Sequence, residues 1–366
     1  MLGKLGFGLM RLPVKSGPTD IDQEQLNAMV DLFLERGFTY FDTSFVYHNG
    51  ESENAIRRAL VERHDRNSFT LASKLPAFAI TEEKDMEPTF ELQLKKCGVE
   101  YFDYYLLHNM KRTMYDTNAK TCKMFEYLKK WKEEGKIRHI GFSFHDSASV
   151  LDTILTEHPE IEFVQIAYNY LDKDAELLQA QACYDVIVKH GRKVVVMEPV
   201  KGGALAALPE KSLARFAALN NGSAASYAIR WTNREEVIAT LSGMSTLAQV
   251  EDNTSYMMDF KPITQEEQKV IDEVVQDIKD TYVVKGNMDV LKEISMGLFA
   301  AVEGYNNCMV QPNPYFAAEL NYYKSYKLGV DRFYETADLS KYNEAFGGDV
   351  NAIRDTAIEF HVKNTF

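Results

Sequence analysis

Eight short runs rich in β-branched and aromatic residues alternate with amphipathic stretches of helical period, and this alternation restricts the fold more than any other feature of the chain. The strand-like runs are Leu5 to Leu9, Thr39 to Thr43, Phe69 to Lys74, Tyr101 to His108, Ile137 to Ser143, Glu162 to Ile166, Lys193 to Glu198 and Val237 to Ser242. Helical patterns fill the intervals. In Asp22 to Glu35, Leu26, Met29, Val30 and Phe33 share one face. The others are Ser52 to Val61, Met86 to Lys96, Ala119 to Glu134, Ser147 to Thr156, Ala175 to His190, Leu208 to Thr232 (read as two helices) and Thr246 to Met257. Strand-then-helix units with short connections require parallel strands, and closing such a sheet predicts an α/β fold of the (β/α)8 TIM-barrel type, with its site at the strand C-termini. An open doubly wound sheet is the competing architecture. It would carry a G-x-G-x-x-G loop after an early strand, and none follows any of these runs. Gly6 and Gly8 lie inside the first run and read as close backbone packing.

The alternation stops near Lys261, which divides the chain into a barrel over residues 1–262 and a mainly helical extension over 263–366. Pro262 and Thr264 mark a helix start, and Val270, Ile271, Val274 and Ile278 recur at helical spacing after it. The rest is rich in Tyr, Asn and Phe and carries no assigned chemistry. A formal charge of −13 argues against a nucleic-acid partner, since phosphate binding needs a basic surface. No apolar run is long enough for a membrane span, and MLGKLGFGLMRLP reads as a first strand rather than a targeting segment, so a cytoplasmic location is expected. Cys97, Cys122, Cys183 and Cys308 are scattered without a C-x-x-C pair. They read as buried reduced thiols, with no metal site.

If the site occupies the strand C-termini, Asp42, Lys74, His108, Ser143, Gln165, Glu198 and Ser242 are the residues it inherits. Tyr47 follows Asp42 by five positions in YFDTSFVY. Each has a bland explanation alone: a turn aspartate, a packing tyrosine, a solvated lysine, a histidine satisfied beside the core. Four such groups at one barrel mouth have a joint chemical use. A phenol with pKa ~10 is a poor proton donor at neutral pH, and a nearby lysine cation is expected to lower that value. Asp42 would keep Lys74 charged and oriented, and His108 would orient a substrate carbonyl.

These residues resemble the aldo-keto reductase family from the chain's start to about residue 262. Its Asp, Tyr, Lys and His tetrad falls on Asp42, Tyr47, Lys74 and His108 in order, and FDTSFVYHNGESENAIRRAL resembles the family stretch in which the Asp and Tyr precede a Gly-x-x-E helix start, here Gly50 to Glu53. IRHIGFS and VQIAYNYLD place Ser143 and Gln165 on the nicotinamide carboxamide. VVVMEPVKGGALA, with Glu198 and Pro199, puts Met197 where an aromatic ring often stacks on the nicotinamide, and Gly202 and Gly203 beside the pyrophosphate. LSGMSTLAQVEDN places Gly243, Met244, Ser245, Gln249, Asp252 and Asn253 at the adenosine end. Many relatives have Lys and Arg at the positions of Gly243 and Gln249, where both pair with the 2′-phosphate of NADP. The resemblance favours NADP(H), with NAD(H) as the alternative. LGFGLMRLP, MEPVKGGALA and SYAIRWTNREEVIATLSGMS resemble a bacterial branch that often carries a C-terminal ferredoxin-like domain. The corresponding region here has only Cys308, so no iron–sulfur cluster is expected, and the extension is read as a possible degenerate form of that domain.

The activity implied is reduction of an aldehyde or ketone, with hydride from reduced nicotinamide and the proton from Tyr47. A nicotinamide-binding sensor or regulatory subunit with little turnover is the alternative; a phosphate-ester isomerase would need a carboxylate base, for which Glu198 is the candidate. Phe45, Phe78, Asn109, Met110 and Phe144 lie just beyond strand ends and are expected to line the substrate pocket. The identity of the carbonyl substrate and the oligomeric state are not legible in the chain.

Overall fold

The computed structural model describes residues 2–308 and 333–363. Eight parallel strands close into a barrel in chain order: β1 Leu5–Gly8, β2 Tyr40–Asp42, β3 Thr70–Leu75, β4 Phe102–Met110, β5 Ile137–Phe144, β6 Phe163–Ala167, β7 Lys193–Met197 and β8 Val237–Ser242. The eightfold alternation thus became a closed sheet, with strand limits within two residues of those expected. Helices α1 Gln23–Glu35, α2 Ser52–Ile56, α3 Met86–Cys97, α4 Met124–Glu133, α5 Ala148–Glu157 and α6 Ala180–Lys189 follow the first six strands. The segment after β7 forms two helices, α7 Glu210–Leu219 and α8 Ala224–Trp231, separated by left-handed Asn220 and Gly222. Helix α9 Leu247–Met258 follows β8. Two helices start later than their periodicity suggests, because Lys123 and Gln179 take left-handed conformations just before α4 and α6.

The barrel interior is a packed layer of Tyr40, Ala72, Leu106, Phe163, Val195, Ala239 and Leu241. At β1 and β5 glycine serves instead: a Cβ on Gly6 would lie 2.7 Å from Leu241 Cδ2, and one on Gly141 would lie 2.4 Å from the Phe163 carbonyl oxygen. The main apolar core lies between the barrel and its helices. Side chains along a strand alternate faces, so the residue two positions beyond an inward one again points inward, one layer nearer the mouth. That step leads from Tyr40 to Asp42, Ala72 to Lys74, Leu106 to His108, Gly141 to Ser143, Phe163 to Gln165 and Val195 to Met197.

Beyond the barrel, α10 Gln265–Tyr282 starts with a Thr264–Glu267 capping box. Its Ile271, Val274 and Ile278 join the barrel's core, whereas α11 Met288–Ile294, α12 Met296–Cys308, the short α13 Asn343–Phe346 and α14 Val350–Lys363 supply a second apolar cluster. The change from one apolar cluster to the other falls between residues 278 and 284, because α10 turns its apolar face to the barrel. Barrel-loop Leu177 belongs to the second cluster, and Lys292 pairs with Glu176 beside it. No described helix is long and apolar enough to cross a membrane. Cys97, Cys122 and Cys183 are buried free thiols.

Candidate active site

Lys74 sits at the barrel mouth, almost fully buried, with its ammonium fixed by two acceptors: Asp42 Oδ1 at 2.5 Å and the Thr43 carbonyl at 2.7 Å. Burial works against its charge, but Asp42 and the Tyr47 phenol outweigh it and hold the lysine pKa above its usual value. Its backbone is held as well, since Gln93 Nε2 donates to the Lys74 carbonyl at 3.0 Å and to buried Glu53 at 2.6 Å. The Lys74 ammonium stands 5.0 Å from the centre of the Tyr47 ring.

Tyr47 reaches this position through an unusual loop. His48 and Asn49 are both left-handed (φ 53° and 52°), and Gly50 follows at φ 90°. The His48 ring ties the loop to the chain leaving β1: Nδ1 lies 2.7 Å from the Pro18 carbonyl, and Nε2 accepts from Leu12 N–H at 3.0 Å. The Tyr47 and His108 rings meet edge to face with centroids 5.8 Å apart. Contrary to the sequence expectation, the phenol pKa is raised: burial is the largest influence, and the opposing effect of Lys74 does not overcome it. His108 is pushed well below the usual histidine value by burial, then by Lys74 and His145, so its ring is neutral at pH 7.

From Tyr47 a groove of about 570 Å³ runs along the ends of β6, β7, β8 and β1. Asp42, Gln165, Met197, Glu198, Pro199, Gly202, Gly203, Gly243, Ser245, Gln249, Asp252 and Asn253 line it. Ser143 is the in-register neighbour of Gln165 across β5 and β6, and its hydroxyl accepts from Asn109 N–H at 2.8 Å. Among the described residues Gln165 Oε1 is buried without a hydrogen-bond partner, an acceptor suited to an incoming amide N–H. The Gly202–Gly203 turn has φ values of 65° and 99°, which glycine tolerates, and both residues present bare backbone to the groove. Buried Lys201 anchors that turn through Asp172 Oδ2 at 2.6 Å. At the far end, Gln249 Oε1 accepts from Ser245 N–H, Asp252 from the Ser223 hydroxyl, and Asn253 Nδ2 donates to Ser242 Oγ, each at 2.7 Å.

Several expected contacts fall elsewhere. The Met244 side chain is fully buried in the main core, not in the groove, because it alternates away from Gly243. Met110 and Phe144 are core residues too. The register shift before Met110, with Asn109 left-handed at φ 63°, turns Met110 away from the mouth; Phe144 alternates outward from Ser143. Phe45 packs its ring under the Lys96 ammonium, 4.7 Å away. Phe78, 40% exposed, meets the His108 ring edge to face, so of the five expected pocket residues it is the one that stands against the imidazole, while Asn109 follows His108 in the chain.

Other groove residues were not foreseen. Arg11, at the end of the turn after β1, is the cation that the described residues place in the groove lining. Its side chain lies 3.3 Å from the position a Gly243 Cβ would take, its Nη2 is 3.8 Å from Glu198, and its carbonyl accepts from Ser245 Oγ at 2.8 Å. A lone arginine at a strand end was the available signal. Ser44, hydrogen-bonded to His108, and Gln93 carried none, since their partners lie 64 and 19 residues away in sequence.

Together these features define a (β/α)8 barrel with a ligand groove at the C-terminal ends of its strands, ending at a charged and aromatic cluster. The aldo/keto reductase family model matches residues 4–276, and the chain belongs to that family. An aldo-keto reductase of Schizosaccharomyces pombe named for NADP(+) is 28% identical over 181 residues, 47% of this chain and 51% of that protein. The chain spans about half the length of the first curated relatives it matches. Among solved structures, the holo form of aldo-keto reductase AKR11C1 from Bacillus halodurans superimposes with a TM-score of 0.59 at 24% identity, covering 75% of this chain and 92% of that one. A Klebsiella pneumoniae aldo-keto reductase in complex with NADPH gives 0.62 at 18% identity, with 75% and 95% covered.

Proposed function

We propose that this protein reduces an aldehyde or ketone to an alcohol with a nicotinamide dinucleotide as hydride donor, and that Tyr47 delivers the proton. The observation that carries the reading is the contact of buried Lys74 with Asp42 and with the Tyr47 ring at the end of a groove of about 570 Å³. When bound, the cofactor supplies the hydride. Ser143 and the unpartnered Gln165 oxygen suit a carboxamide, Met197 the face of the nicotinamide ring, and the Gly202–Gly203 turn a pyrophosphate. Relatives named for or solved with NADP(H) favour that form. Arg11, beside Gly243, supports it by supplying a cation near the phosphates where Gly243 and Gln249 offer none.

The chain's own groups divide the remaining work. Neutral His108 orients the substrate oxygen, and Tyr47 gives its proton to the oxygen as negative charge builds there. Lys74 stabilises the phenolate left behind, and Asp42 keeps the ammonium in place. Because burial holds the phenol protonated, proton delivery depends on the charge developing on the substrate.

Fluorescence titration with NADPH and NADH, followed by a panel of short aldehydes, ketones and sugars, tests the reading. Tyr47→Phe should lower kcat by about 10²–10⁴-fold while leaving cofactor Kd within twofold. Undiminished turnover in that variant would remove Tyr47 from the mechanism. Nucleotide binding without reduction of any carbonyl would favour a sensor.

A further inference from the structure

We propose that Ser44 is a positioning residue for the reaction: its hydroxyl donates to Nδ1 of His108 and so fixes the ring proton on Nε2. The inference deepens the reading above and rests on it for the role of His108. Ser44 follows β2 by two residues, and its Oγ lies 3.0 Å from His108 Nδ1, joining the β2 and β4 sides of the mouth.

Hydroxyl bookkeeping sets the direction of this bond. Ser44 is completely buried, and among the described residues its hydroxyl has one hydrogen-bond partner, His108 Nδ1. A buried O–H needs an acceptor. Were Nδ1 the donor, the serine proton would be left with nothing to accept it. With serine donating, both groups are satisfied, and a neutral imidazole with Nδ1 as acceptor carries its proton on Nε2. The His108 ring is neutral, since burial and the Lys74 charge both oppose its protonation. No described group hydrogen-bonds Nε2, and the ring is half-buried between Tyr47 and Phe78, so the Nε2–H is available to a substrate oxygen. The opposite tautomer would turn a lone pair toward that oxygen and repel it.

The consequence is specific to orientation. Removing the hydroxyl lets the ring populate both tautomers, and the fraction with a proton on Nδ1 cannot donate to the carbonyl. The serine touches neither substrate nor cofactor, so cofactor affinity should not move.

Nitrogen NMR of protein labelled with ¹⁵N-histidine reads the tautomer directly, without turnover. His108 in the parent protein should carry its proton on Nε2. Ser44→Ala should show both tautomers and lower kcat by the share of rings no longer protonated on Nε2, about twofold for equal populations, with cofactor Kd unchanged. A proton on Nδ1 in the parent protein overturns the proposal whatever the variant does. So does a Ser44→Ala protein with parental tautomer and parental kcat. If the parent reduces no carbonyl yet holds the Nε2 proton, the activity reading fails while the Ser44–His108 bond stands as drawn.

Discussion

Burial decides the ionisation of Tyr47 and His108 more than neighbouring charge does, whereas at Lys74 the neighbours prevail. For Tyr47 the reasoning from residue types gave the partners and missed the sign, because a sequence names the lysine but not the loss of water around the phenol. Legibility at this scale followed the period of two. Asp42, Lys74, His108, Ser143 and Gln165 were readable because each is the last inward residue of a recognisable strand. Met110 and Phe144 misled because a register shift and one step of alternation turned them outward. His145 shows the same control by burial. Desolvation, aided by Lys111, lowers its pKa to about 4. Between pH 6.5 and about 4 the unfolded chain binds a proton there that the folded chain does not, so folding stability falls as the pH falls through that window. The slope is at most ~1.4 kcal/mol per pH unit. Urea unfolding at pH 7 and pH 5 should show His145→Gln losing about 2 kcal/mol less than the parent on acidification; equal losses would remove His145 from the acid response.

Elements are joined here by buried polar contacts that periodicity does not reveal. Glu267 illustrates this. Its carboxylate accepts from Thr264 N–H at 2.8 Å to complete the capping box of α10, and both its oxygens accept from the Arg230 guanidinium of α8 at 2.9 Å. The sequence announced the helix start, through Pro262 and Thr264, but gave no sign that an arginine of α8, two helices earlier, would share the cap. Arg230→Met leaves a buried carboxylate uncompensated and should cost about 3–5 kcal/mol. Adding Glu267→Leu should recover much of that loss, and a double variant as unstable as the single one would show that the cost lies in packing. Thermal unfolding of the three proteins separates these outcomes.

At the scale of the molecule, two apolar clusters share one chain. The second, built around Leu291, Leu298, Phe299, Val302, Tyr334, Leu339 and Val350, includes Leu177 as its barrel residue. A cluster with its own packing should open on its own. Hydrogen exchange is expected to show α11 and α12 exchanging through an opening that leaves the barrel strands protected, and one common opening free energy for both would contradict that. The course of the groove has a further consequence. Its walls come from β1, β6, β7 and β8, whereas His108 and Phe78, which meets the imidazole edge to face, come from β4 and from the chain after β3. On the proposed reading, a nucleotide along the first set and a carbonyl compound against the second meet beside Tyr47. On the proposed chemistry both must be seated together before anything is exchanged, so reduction passes through a three-body complex and not through a modified form of the protein alone.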